Sequence, residues 1–117
     1  MEIHTKINKS FLFILNQVFE LELKITKLSD QNSIQRNINK IKDFFENEAI
    51  GDGQGLLYYN PIGESYDVTR TDCEATISGA SHENLEIIEV LKPIIYFKYG
   101  NAKMVIQKAI VIVQSKN

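Results

Sequence analysis

Apolar side chains recur at Ile7, Phe11, Ile14, Val18, Leu21, Ile25 and Leu28, at spacings that alternate between four and three. That stripe predicts an amphipathic helix with a coiled-coil seam. Phe13, Leu15, Phe19 and Leu23 widen it beyond a two-stranded seam, as in a bundle of more than two helices. Ser29-Asp30-Gln31-Asn32-Ser33 breaks the pattern with turn formers and offers an N-cap for a further helix. This second helix is expected over residues 34–48, its seam formed by Ile34, Ile38, Ile41 and Phe45, with Phe44 beside it. The short link predicts a helical hairpin. One hairpin cannot bury both of its stripes fully, but two copies can, as a four-helix bundle. A homodimer is therefore expected, with all eleven seam residues at the dimer interface.

Three glycines within Gly51-Asp52-Gly53-Gln54-Gly55 predict a flexible joint or a tight turn. No Lys-Ser/Thr comes after it, so this is not a phosphate loop. Beyond it the pattern turns to β. Short strands are expected at residues 56–59, 85–91 and 94–99, and a last one over 105–113. Asn60-Pro61-Ile62-Gly63 and Gly79–Asn84 read as loops, and Gly100-Asn101 as a hairpin turn. Asp67 is placed as the cap of a helical turn running to Ala75. Ala109–Val113 is continuously apolar, which predicts cover on both faces. The expected fold class is α+β: an N-terminal helical hairpin over residues 1–50 forming a dimeric four-helix bundle, then a small all-β C-terminal domain over residues 51–117.

Charge removes two partner classes. The 117 residues carry a net charge of -2. Residues 1–50 hold seven basic and seven acidic side chains, residues 51–117 six and eight. Neither half has the basic excess that nucleic acid requires. The lysines stand singly, against a membrane-surface patch, and no apolar run approaches a membrane span. Phe11–Leu15 is too short for the apolar core of a signal peptide. Cys73 is the one cysteine, so neither an internal disulfide nor a cysteine-based zinc site is expected. A reducing cytoplasm is the expected compartment.

Catalysis needs converging groups, and the sequence offers few. His4 and His82 lie in different predicted parts. Asp72 and Glu74 flank Cys73 and disfavour its thiolate. Glu86 and Glu89, three apart on a strand, are expected on opposite faces. Tyr96 and Tyr99 around Lys98 suggest stacking on single strands, but no basic groove accompanies them. No enzyme activity, catalytic residue, metal or cofactor is expected, and protein binding is the expected function.

The most specific segments are Gly63-Glu64-Ser65-Tyr66-Asp67, Cys73-Glu74-Ala75, Asn84–Leu91, Gly100-Asn101 and Val105–Val113. Their order resembles the C-terminal β domain of the GrpE family, the nucleotide exchange factors of DnaK-type chaperones. The likeness covers residues 34–114, and a helical segment precedes it, as in the family. Val68 stands where the family has proline, Cys73 near its histidine slot and Gln107 where it has arginine; the N-terminal arm is short. The resemblance implies a co-chaperone that docks on the chaperone's nucleotide-binding domain and promotes ADP release. It implies partner contacts at Gly63, Glu64, Ser65, Tyr66, Asp67, Gln107 and Lys108. The alternative is an adaptor that keeps the fold without exchange activity.

Overall fold

The computed structural model describes residues 7–28 and 32–117. Among these residues two helices, α1 (Lys9–Ile25) and α2 (Asn32–Asn47), precede seven strands. The strands are β1 (Gln54–Tyr59), β2 (Ser65–Tyr66), β3 (Cys73–Ser78), β4 (Leu85–Lys92), β5 (Ile94–Tyr99), β6 (Ala102–Gln107) and β7 (Ala109–Ser115). They form two sheets, ordered β1-β5-β6 and β2-β4-β7-β3. The expected turn at Ser29–Ser33 lies partly, and His4 wholly, outside the described residues.

The chain folds as two compact units. One comprises the chain up to Tyr58 together with Tyr96–Met104; the other comprises Tyr59–Ile95 together with Val105–Asn117.

In the first unit α1 starts at Asn8, whose Oδ1 accepts the Ser10 N–H at 2.9 Å and satisfies an otherwise orphaned donor. Its buried residues are Leu15, Val18, Phe19 and Ile25. Val18 and Ile25 pack with Ile38 of α2, and Tyr58 of β1 packs against this cluster. The Phe19 and Tyr58 rings meet edge to face at 5.7 Å, as do Phe11 and Phe45 at 5.4 Å. The Tyr58 hydroxyl donates to Glu22 at 2.6 Å, and Gln35 Nε2 and Lys42 Nζ donate to the same carboxylate at 2.9 and 3.3 Å. Burial opposes ionisation of Glu22. The bonds from Tyr58, Gln35 and Lys42 outweigh it and hold the carboxyl below its ordinary value. The same burial, with Glu22 beside it, drives the Tyr58 phenol upward.

The four-helix bundle is corrected by this packing. Val18, Ile25, Ile38 and Phe45, assigned to a second subunit, are buried within one chain, while Ile14, Leu21, Leu28, Ile34 and Ile41 of the same seam are exposed. The reason is the period. A helix lying against neighbours in its own unit buries a broad 3.6-residue face, here Leu15, Val18, Phe19 and Ile25, with Glu22 half-buried among them. The 3.5-residue seam read from the sequence cuts across that face.

The glycine cluster is a tight turn running into a strand. Gly51, Asp52 and Gly53 take φ of 87°, 59° and 74°, and the Gln54 N–H donates to the Gly51 carbonyl at 3.1 Å. Gly55 has a different task. A Cβ there would stand 1.8 Å from the Glu46 carbonyl oxygen, so only glycine lets β1 approach the end of α2.

In the second unit β3 runs parallel to β7, and β4 antiparallel to it. One face carries Cys73, Ile87, Val90, Ala109, Val111 and Val113, all buried. Ile110 and Ile112 are only half-buried, so the apolar run of β7 is covered fully on one face rather than two. Three further expectations change. No helical turn forms over 67–75, because Cys73–Ser78 is taken into the sheet as β3. The expected final strand is two strands parted at Lys108. A register shift between Ile87 and Glu89 inserts Ile88 as a bulge, so Glu86 and Glu89 oppose Gln114 and Ile112 and share a face.

Phe19→Ala should cost about 3–5 kcal/mol, because the site is fully enclosed. Leu21→Ala, on the exposed part of the seam, should change stability by no more than about 0.5 kcal/mol. Urea unfolding of the two variants checks this, and equal losses would return Leu21 to an interface.

Candidate protein-docking site

The segment Gly63–Asp67 leaves a turn and enters β2, an edge strand of the second unit. Asn60 Oδ1 accepts the Ile62 N–H at 3.1 Å, and the Glu64 N–H closes the turn on the Pro61 carbonyl at 3.1 Å. Gly63 lies at φ 83°, which glycine adopts freely. Its N–H donates to the Ile87 carbonyl, and the Ile87 N–H donates back to the Glu64 carbonyl, both at 2.9 Å. Ser65 then pairs with Glu86 and Tyr66 with Leu85.

Arg70 fixes the far side of this segment. Its Nη2 reaches Glu64 Oε1 at 2.7 Å, its Nη1 the Ser65 carbonyl at 3.0 Å, and its Nε Asp72 Oδ1 at 2.6 Å. The planar guanidinium suits three acceptors in one plane, which lysine could not reproduce. Tyr59 donates its hydroxyl to the same Glu64 carboxylate. Asp67 turns the chain towards Arg70 by accepting from the Thr69 N–H at 2.8 Å and from the Thr69 hydroxyl. The Asp72 carbonyl accepts the Ala109 N–H at 2.9 Å, one residue beyond Lys108. Through Arg70 and Asp72, Gly63–Asp67 is thus linked to the chain at Lys108–Ala109.

Electrostatics follow the contacts. The Thr69 bonds hold the exposed Asp67 carboxyl below its ordinary value. Arg70 does the same for Asp72, and hydrogen bonding to Asp72 in turn raises Arg70. Cys73 is buried and free, and burial pushes its thiol up to about 11.

Gly63, Ser65, Asp67 and Lys108 are exposed, while Glu64, Tyr66 and Gln107 are half-buried. Gln107 Nε2 donates to the Pro93 carbonyl at 3.0 Å. Arg70 is the residue that sequence reasoning missed. The one signal was its position between Asp67 and Asp72, six residues after Glu64. Among the described residues, no three His, Cys, Asp or Glu side chains are grouped as a metal site requires, and no helix is long and apolar enough to cross a membrane. No family model matches the chain, and neither does any curated protein or solved structure.

Arg70→Met should leave the sheet folded, cost about 1 kcal/mol overall, and speed amide exchange at Glu64 and Ser65. Because Asp72 is depressed in the folded state, its contribution is present above the unfolded pKa of about 3.9 and is lost as pH falls through the folded value. Wild-type exchange at Glu64 and Ser65, corrected for intrinsic rates, should therefore accelerate only below about pH 4. Cys73 should resist alkylation at about pH 8 until the chain is unfolded, as mass spectrometry would report.

Proposed function

We propose that the chain is a protein-binding co-chaperone of GrpE type, which grips the nucleotide-binding domain of a DnaK-type chaperone and promotes ADP release. One observation carries the reading: Gly63–Asp67, the segment most specific to the resemblance, exposes Gly63, Ser65 and Asp67 at a sheet edge yet is held by the Arg70 guanidinium on Glu64 and the Ser65 carbonyl. Other segments of the likeness fall on regular elements or the turn between them, with Leu85–Leu91 in β4, Gly100-Asn101 between β5 and β6, and Ala109–Val113 in β7.

The mechanism is differential binding. A rigid docking segment that fits the open cleft better than the closed one lowers ADP affinity, and ADP lowers the affinity for the co-chaperone by the same factor. Moving the cleft from closed to open, 1:99 to 99:1, takes about 5.5 kcal/mol of differential affinity. A segment tied at both ends spends little of that on its own ordering.

A second reading is supported by Gln107. Its amide is engaged with the Pro93 carbonyl, in the slot where the resemblance has a forked cation. That favours an adaptor that binds without opening the cleft.

Stopped-flow release of a fluorescent ADP analogue from a DnaK-type chaperone separates the two. Acceleration that is weakened at least about tenfold by Arg70→Met supports exchange, a loss of about 1.4 kcal/mol. Binding by calorimetry with unchanged release supports the adaptor, and no binding overturns both.

A further inference from the structure

The terminal strands of the two sheets differ in how they are protected. β2 is only two residues long. β1 has the Glu46 carbonyl against Gly55, and β6 carries Lys103. Short edges, cover and edge lysines are common ways to prevent strand addition. β3 is neither short nor lysine-bearing: it is six residues long, Cys-Glu-Ala-Thr-Ile-Ser, without proline or lysine, and among the described residues β7 is its only neighbour in the sheet.

The ladder phase says which groups are free. In a parallel pair, successive residues turn their N–H and C=O alternately towards and away from the neighbour. The Ala109 N–H bonds to the Asp72 carbonyl, and Cys73 pairs with Ala109. Glu74, Thr76 and Ser78 therefore bond towards β7, whereas Cys73, Ala75 and Ile77 turn their backbone groups outward.

From this edge we propose that β3 is the docking site for an extended, cationic peptide segment of a partner protein, added as a fifth strand beside β2-β4-β7-β3. The proposal does not rest on the exchange reading. Backbone bonds to Ala75 and Ile77 supply the affinity, as in other strand additions. Side chains set the preference. Ala75 and Ile77 lie on the apolar face with Val111 and Val113, so the added strand must be apolar there. Glu74 and Thr76 are exposed on the other face, which Glu86, Glu89 and Lys92 share two strands away, and Glu74 is the charge on the edge strand itself. Among the described residues Glu74 makes no ion pair. An incoming strand with lysine or arginine on that face meets complementary charge, and an acidic one meets like charge.

The test uses the full chain, isotope-labelled, with the synthetic hexapeptides acetyl-VKVTVK-amide and acetyl-VEVTVE-amide. The lysine peptide should slow amide exchange at Ala75 and Ile77 about tenfold at saturation, and the glutamate peptide should bind severalfold more weakly. Ala75→Pro should abolish binding while the unfolding midpoint is kept, because the Ala75 N–H makes no bond to β7. If that variant fails to fold, Glu74→Lys must reverse the preference between the peptides. Protection elsewhere, unaltered binding by Ala75→Pro, no reversal with Glu74→Lys, or light scattering showing a dimer that Ala75→Pro dissociates would each overturn the proposal.

Discussion

The first unit depends on one enclosed contact, the edge of the Phe19 ring against Tyr58 with the Tyr58 hydroxyl bound to Glu22. A hairpin of two amphipathic helices has more apolar surface than it can hide by itself. β1 supplies cover through Leu56 and Tyr58, and Glu22 makes the tyrosine's polar end acceptable in a half-buried site. Gln35 and Lys42 complete that carboxylate, so one acidic side chain joins both helices and a strand.

The legible parts of the fold were those set by local chemistry. Both helices, the strands at 56–59, 85–91 and 94–99, and the Gly100-Asn101 turn come from periodicity and turn residues. The cover over the helices was not legible, because seams of period 3.5 and 3.6 share most residues over three turns. Val18 and Ile25 belong to both, whereas Leu15 and Phe19 belong only to the face buried here. β3 was missed for a related reason. Asp67 does cap its chain, through Thr69, but in a turn, and the strand after it alternates weakly, with Ala75 and Ile77 only half-buried. The Ile88 bulge was invisible because a one-residue insertion leaves no compositional mark.

The candidate segment Gly63–Asp67 was legible as a motif and illegible as a device. Gly63–Asp67 stands out by its residues, yet its rigidity comes from Arg70, which reads as an ordinary surface cation until the chain turns back. The guanidinium then satisfies two carboxylates and a carbonyl, leaving Gly63, Ser65 and Asp67 outward. A surface that is exposed and also ordered loses little entropy on binding, which is what a protein-binding loop needs.

Neither unit is a continuous stretch of chain. The polypeptide passes from one to the other after Tyr58, after Ile95 and after Met104. The helical unit therefore lacks part of its own substance until Tyr96–Met104 has been made, long after both helices. At about 5–20 residues per second, several seconds of synthesis separate the end of α2 from Met104. Closing a unit across so long a separation is slow beside the formation of the helices themselves.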